Sequence, residues 1–462
     1  MRSQPLPRLV LLATGLLSTT LVACHAPSAN SHDLPQRSIP GITLTLLVDF
    51  SASFAPLTAT DAAALRSVAT AVATATGHNW SGLTKILVRK VGTSSILSVP
   101  LCKTITYQPS LTGAGNDSES LRKDLNACVE STLQASFLNT NREQYTDISG
   151  AIAMSAQAAQ SDSSVKFLVV LSDFLEQQAP KAKPATLHLN QERVILIHRL
   201  GLDDKSIDLH ITRLETWRKA LLAAGAKSVA VIPEEWATSN VLDQTFNNSS
   251  NGTAGIIMLD PNAIAFLPSE ELRRERLQEV ALAIADRATE WAKPVTILWY
   301  VFPSTPASVS WMPALEYQPL LVEKEGEINN IDQLRRIMRE TALGALRLCK
   351  LPSSAADFPG ELRLLHAPDV IANRETNLFL ISNFDAILPT QTQSLWRMRS
   401  ERVSMMYTPL MSDGADPNRL FTRLGRWKSQ LTSLGADKVC TFEFLSLTPA
   451  ALKACGSRGG AL

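Results

Sequence analysis

The residues with the most chemical content close an apolar run: Leu46-Leu47-Val48-Asp49-Phe50-Ser51-Ala52-Ser53. One carboxylate is followed by two hydroxyls spaced two apart, so a single turn can present Ser51 and Ser53 to one ion. Two later segments carry the same kind of oxygen. Tyr145-Thr146-Asp147-Ile148-Ser149-Gly150-Ala151 leads into helix-like sequence, and Val169-Val170-Leu171-Ser172-Asp173 ends a second apolar run in an acid. Small hard cations such as Mg²⁺ take anionic and neutral oxygens and keep some of their water. Ser and Asp are also ordinary turn and cap residues, so each segment alone could be purely architectural. Softer metal chemistry has no foothold, because the six cysteines and seven histidines form no C-x-x-C and no H-E-x-x-H. Nucleophilic catalysis fares no better. Ser51 or Ser53 could be set against His198 or His210, but no G-x-S-x-G elbow and no S-x-x-K with companion motifs is present. His198 ends an apolar strand and His210 precedes a helix, which are structural positions. No enzymatic activity is expected.

The elements that must position these residues alternate along the chain. Ile42–Val48, Phe167–Leu171, Arg193–His198 and Ser228–Ile232 read as strands, the first two apolar enough to be parallel strands buried on both faces. Helical periodicity occupies Asp61–Ala75, Ser118–Gln134, Ile148–Gln160 and Ile211–Ala224. This alternation predicts an α/β fold with a doubly wound, mostly parallel sheet. Ligand sites of such sheets lie beyond the carboxyl ends of the strands, where Asp49 and Asp173 fall. Ser269–Lys293 reads as a helix that stops before Pro294 and closes the first unit, and Val295–Phe302 reads as the first strand of a second.

An internal repeat supports two copies in tandem. Thr212-Arg213-Leu214 with Trp217, Leu221, Gly225-Ala226 and Val229 recurs 210 residues later as Thr422-Arg423-Leu424 with Trp427, Leu431, Gly435-Ala436 and Val439. The same shift carries Asp147 and Gly150 onto Asp357 and Gly360, and Ser172-Asp173-Phe174 onto Ser382-Asn383-Phe384. The shared residues are architectural: a helix face of Leu, Trp and Leu, then a glycine stop. The expected organisation is a leader over 1–23, a tether over 24–41, a first domain over 42–292 and a second over 293–462.

The three oxygen-bearing segments, in this order and on these elements, resemble the von Willebrand factor A family over roughly Ile42 to Ala292. D-x-S-x-S at Asp49, the Thr146 loop and the strand ending in Asp173 resemble its metal-ion-dependent adhesion site, in which three loops converge on one divalent cation. The resemblance implies that Ser51, Ser53 and Thr146 supply hydroxyl oxygens, with Asp49 and Asp173 acting directly or through water. It implies Mg²⁺ most of all, with Mn²⁺ or Ca²⁺ as alternatives, and a protein partner whose Asp or Glu completes the shell. The family usually has glycine where Ala52 and Phe174 stand here, so the local loop shape is expected to differ.

The second copy is expected to be degenerate, without a metal site. Under the 210-residue shift, Ala356 replaces Thr146 and Asn383 replaces Asp173. Aligning Phe50 with Phe302 puts Val301, Pro303 and Thr305 in the places of Asp49, Ser51 and Ser53, so that neither acid survives.

Location is written at the amino terminus. Arg2 and Arg8 precede or flank an apolar run, Leu9–Ala23, that at about 1.5 Å per residue spans less than a bilayer core and reads as a secretory signal. Leu21-Val22-Ala23-Cys24 resembles a bacterial lipobox, which implies a lipid anchor on Cys24, a bacterial envelope location and membrane attachment. His25 stands where aspartate often signals inner-membrane retention in Gram-negative cells, and the Pro-, Ser- and Asn-rich stretch to Gly41 reads as a tether. In an oxidising compartment Cys102 with Cys128 and Cys440 with Cys455 could pair, leaving Cys349, or all could stay thiols. Without the leader the 462-residue chain has 42 basic and 43 acidic side chains, so no global field draws it to nucleic acid. The expected function is that of an exported, tethered adhesion or scaffold protein. A two-lobed solute-binding lipoprotein and a metal-free structural subunit of an envelope assembly are the alternatives.

Overall fold

Buried strands with helices on both faces set the architecture. A computed structural model describes residues 41–456, apart from inter-element segments of which the longest are 94–99, 109–115, 139–144, 178–184, 289–294, 302–309, 318–329, 350–361, 363–374 and 386–397. Residues 1–40, on which the expected leader, Cys24 and nearly all of the expected tether fall, lie outside the described residues.

The first sheet gathers β1 (Ile42–Asp49), β2 (Thr84–Val91), β3 (Ile105–Tyr107), β4 (Val165–Ser172), β5 (Arg193–His198) and β6 (Ser228–Pro233) in the order β3-β2-β1-β4-β5-β6. Only β3 runs antiparallel to its neighbour. All eight residues of β1 are buried, as a central strand covered on both faces requires. Leu44, Leu46 and Val48 share a core with α1 (Ala59–His78) and α2 (Asn116–Leu138). Leu47 points the other way, toward α3 (Ile148–Ala159) and α4 (Ile207–Ala223). The fold is therefore a doubly wound α/β sheet. After β6 a 3-10 turn, Glu234–Trp236, leads into α5 (Ser239–Asn247).

The second sheet repeats the plan. It takes β7 (Thr253–Leu259), then, beyond α6 (Pro261–Ala265) and α7 (Glu270–Ala288), β8 (Val295–Val301), β9 (Ser310–Trp311) and β10 (Leu315–Tyr317). After α8 (Asn330–Leu348) come β11 (Glu375–Ser382), β12 (Arg402–Tyr407), α9 (Met411–Ala415), α10 (Pro417–Ser433), β13 (Lys438–Glu443) and α11 (Pro449–Gly456). The strand order is β10-β8-β7-β11-β12-β13, with β9 beside β8. Registers correspond as well: Ile42 sits opposite Val165 and Thr84, and Thr253 sits opposite Glu375 and Val295.

This topology moves the division between copies. Val295–Val301 lies between β10 and β7, the place of β2 in the first sheet, and β7 holds the central place of β1. The strands of the second copy therefore begin at Thr253 and not after residue 292, and α7 packs against α8 and α11 of that copy instead of closing the first. The alignment of Phe50 with Phe302 fails for the same reason. It matched a second strand to a first.

The repeated Trp and Gly are explained by one shared joint. Gly225 and Gly435 have φ of +102° and +108° and end α4 and α10. A Cβ at either would lie 2.4 Å from a carbonyl oxygen, of Leu189 or of Met398. Glycine is thus required twice, for the same close approach. Disulfides join Cys102 to Cys128 and Cys440 to Cys455, and Cys349 is a free thiol that burial, and after it Asp260, pushes up to about 12. The disulfides close loops of 26 and 15 residues. Reduction is expected to lower stability by about 3 kcal/mol for each, read as a drop in the urea midpoint on adding dithiothreitol. Unchanged midpoints would show that the bridges are dispensable.

Candidate metal centre

The carboxyl end of β1 delivers Asp49 at the centre of the first sheet, and its neighbour β4 delivers Ser172 and Asp173 beside it. Asp49, Ser51, Ser53, Thr146 and Asp173 are all buried. Asp49 Oδ1 accepts the Ser51 amide at 2.8 Å and its Oδ2 accepts the Ser172 hydroxyl at 2.6 Å. The loop beyond then turns so that the Ser51 and Ser53 hydroxyls stand 3.2 Å apart. Asp173 accepts the Leu175 amide at 2.9 Å through Oδ1. Burial first, and the nearby Asp173 charge second, push the Asp49 carboxyl up to about 7. Two adjacent, buried acids with a pair of facing hydroxyls form an all-oxygen set that fits a hard cation, whose charge would relieve the repulsion. Among the described residues no group of three or more His, Cys, Asp or Glu gathers at one point.

Thr146 comes from the loop ahead of α3 and is tied to the Asp173 loop. Its amide donates to the Gln177 carbonyl at 2.8 Å, forming an isolated bridge between the two segments. Glu176 strengthens that strap by accepting the Ser149 amide at 2.9 Å and the Ser149 hydroxyl. Asp147 caps α3 by accepting the Gly150 amide at 2.9 Å. Sequence patterns did not point to Glu176, because its partner lies 27 residues away on another loop. Gly201 was also missed: a Cβ there would stand 2.4 Å from Asp173 Oδ2, so a larger residue would displace the carboxylate.

Phe174 takes a backbone conformation that favours glycine. Its φ is +58°, a left-handed conformation that costs a non-glycine residue about 1–2 kcal/mol. The ring is fully buried and meets Trp217 edge to face at 6.2 Å, and Trp217 Nε1 donates to the Phe174 carbonyl at 3.1 Å. Phe384, at φ +56°, repeats the arrangement against Trp427 at 5.3 Å.

The second copy keeps more of this centre than its sequence suggested. Asp260 follows β7 as Asp49 ends β1, accepting the Asn262 amide at 2.9 Å and the Ser382 hydroxyl at 2.8 Å. One acid therefore survives, correcting the expectation that neither does. Its carboxyl is raised by burial, without an acidic neighbour at the place of Asp173, where Asn383 stands. Ser53 has no hydroxyl counterpart, the corresponding residue being Ile264. Ala356 lies outside the described residues. The Asp–Ser bond across the two central strands thus belongs to the fold, whereas the second acid and paired hydroxyls belong to the first copy alone. Asp260→Ala is expected to cost about 1–3 kcal/mol through its two orphaned donors while leaving Mg²⁺ stoichiometry at one per chain by calorimetry. A second equivalent lost in Asp260→Ala or Asn383→Ala would contradict this.

No family profile and no curated protein sequence matches the chain. Among solved structures, proximal thread matrix protein 1 from the mussel byssus is similar at 11% identity and a TM-score of 0.27, covering 90% of this chain and 95% of that one. One structure of that protein carries a zinc-occupied MIDAS motif. The human COPII-coat protein Sec24c is similar at 13% identity and a TM-score of 0.21 over 44% of this chain and 28% of its own. Likenesses at such scores carry no argument about this site.

Proposed function

We propose that the chain is an exported, lipid-anchored adhesion or scaffold protein of the A-domain type, which engages a protein partner through a divalent cation at the end of the first sheet. The observation that carries this reading is the placement of two buried acids beside hydroxyls 3.2 Å apart, beyond the carboxyl ends of central parallel strands. Asp49, Ser51, Ser53, Thr146 and Asp173 would hold Mg²⁺, or Mn²⁺ or Ca²⁺ in its place. When bound, such a cation supplies an open coordination position for a partner's Asp or Glu oxygen, and the surrounding loops add contact area and selectivity. Non-catalytic binding is the proposed role throughout.

Two disulfides support an oxidising location, in keeping with anchorage through Cys24 in a bacterial envelope. Among the described residues no helix is long and apolar enough to cross a membrane. A metal-free structural role is favoured by one specific observation, the Asp260–Ser382 bond, which shows the Asp–Ser junction kept in a copy that lacks the other donors. Thermal unfolding in chelator and in millimolar Mg²⁺ separates the two. A rise in midpoint, with partner capture lost in chelator, is the expected result, and identical midpoints with chelator-insensitive capture would establish the metal-free role.

A further inference from the structure

The turn that carries Ser51 and Ser53 is tied down at both ends, and its far end is held by the turn after β5. Ahead of it, the Phe50 amide donates to the Val91 carbonyl of β2 at 3.2 Å. Within it, the Phe54 amide donates back to the Ser51 carbonyl at 3.2 Å, closing the bend that brings the two hydroxyls together. Beyond it stands Arg199, one residue after β5. Its guanidinium donates to the Phe54 carbonyl, lies 4.1 Å from the centre of the fully buried Phe54 ring and pairs with Asp61 Oδ2 at 2.8 Å. That oxygen is itself fixed, since it accepts the Thr58 amide at 2.7 Å and the Thr58 hydroxyl at 2.9 Å at the start of α1. A planar fork with donors along its edge and a face free to stack makes all three contacts at once, which an ammonium cannot. Two residues further on, Gly201 backs onto the other arm of the centre, where a Cβ would stand 2.4 Å from Asp173 Oδ2.

The second copy shows that this arrangement belongs to the first copy and not to the fold. Ala265 stands there for Phe54, and its carbonyl accepts at 3.1 Å from Arg273, a residue of α7, the helix that follows the same loop. The loop end thus takes a guanidinium in both copies, but only in the first does it come from the turn of another strand. Counted from His198 and Tyr407, which pair with Ser172 and Ser382, the places of Arg199 and Gly201 are held in the second copy by Thr408 and Leu410. The copy with Asn383 in place of Asp173 therefore lacks both the arginine and the bare Cα. We propose that the turn Arg199–Gly201 positions both oxygen-bearing arms of the first copy, holding the Ser51–Ser53 turn through Arg199 and leaving room for the Asp173 carboxylate at Gly201, so that the two arms face one ion. Its purpose rests on the metal reading above. The contacts themselves do not. Neither residue is one of the oxygen donors, and each acts through the loop it holds.

The test is Mg²⁺ titration calorimetry of the full chain, with thermal unfolding and hydrogen exchange in chelator, for the parent, Arg199→Lys, Gly201→Ala and Arg273→Lys. Lysine leaves Asp61 a cation but cannot also hold the Phe54 carbonyl and cover its ring. In chelator, exchange at the Phe54 amide should quicken about tenfold in Arg199→Lys. Exchange at the Leu175 amide, which donates to Asp173 Oδ1, should quicken about tenfold in Gly201→Ala. The Mg²⁺ dissociation constant should rise about ten- to a hundredfold in both. Arg273→Lys removes a like guanidinium from the other copy. It should lower the unfolding midpoint and leave both amides and the Mg²⁺ affinity as in the parent. Dissociation constants within about twofold of the parent in Arg199→Lys and Gly201→Ala would overturn the positioning role, and so would unchanged exchange at both amides. Each variant reads its own arm, so one that does not fold leaves the other to decide. A parent without any Mg²⁺ response, with the exchange contrast intact, would sink the metal reading and leave the positioning of the two arms standing. A Mg²⁺ response shared equally by all four chains would do the reverse.

Discussion

Asp173→Asn is expected to abolish the Mg²⁺ response of the protein and, in chelator, to make it more stable than the parent above pH 7. Both effects arise from one carboxylate beside another. Asp49 is buried, and the Asp173 charge helps lift its carboxyl from 3.8 to about 7. For an acid raised in the native state, stability is present below 3.8 and is lost as pH climbs to about 7. Removing the neighbouring charge recovers part of that loss, on the order of 1 kcal/mol. Asparagine is a tested occupant of the position. Asn383 Oδ1 accepts the Asp385 amide at 3.0 Å, as Asp173 Oδ1 accepts that of Leu175. In the parent, Mg²⁺ at a hundred times its dissociation constant should add about 2.7 kcal/mol. Calorimetric unfolding at pH 6 and 8, with chelator and with Mg²⁺, reads every term. An undiminished Mg²⁺ shift in Asp173→Asn would remove this residue from the site.

Trp217→Ala should be among the most damaging substitutions away from the oxygens, at about 3–5 kcal/mol, and Trp427→Ala should match it. Each Trp supports a phenylalanine held at positive φ directly after the residue that matters, Asp173 in one copy and Asn383 in the other. Without the indole, Phe174 loses its edge-to-face partner and the donor to its carbonyl. The left-handed turn would relax and carry Asp173 with it. Trp217→Phe, which keeps an aromatic ring and loses the hydrogen bond, should cost about 1 kcal/mol through that bond, with a smaller packing loss. Urea unfolding measures the cost, and Mg²⁺ affinity separates the copies. Only Trp217→Ala should weaken it, although Trp217 touches no cation. A cost below about 1 kcal/mol for both alanine variants would mean that packing elsewhere holds these turns.

Four of the six strands of the first sheet were legible because each is a local apolar pattern, whereas the mixed polar and apolar Thr84–Val91 and the short Ile105–Tyr107 were not read. Ile42–Asp49 and Val165–Ser172 are apolar runs of strand length, and Thr212–Ala226 writes a helix face and its glycine stop in one stretch. The repeat told of duplication for the same reason, since a helix, a stop and a strand start recur with their spacing intact. Which apolar run stands where in a sheet is a different question. Thr253–Leu259 and Val295–Val301 are equally apolar and equally buried, so hydropathy cannot say which is central. Only the pairing of β7 between β8 and β11 does, and with it the recognition of Asp260 as the counterpart of Asp49.

By itself the sequence determined the fold class, the duplication and the residue types able to offer oxygens, all of which depend on composition and spacing within one element. Tertiary structure decided the rest. Asp49 is raised by burial first and then by the charge of Asp173, which β4 brings alongside it. Phe174 is tolerated because Trp217 arrives 43 residues later. Asp61 at the start of α1 meets the Arg199 guanidinium because β5 delivers that residue beside it. Burial and charge proximity are properties of neighbours in space, and a spacing along the chain does not contain them.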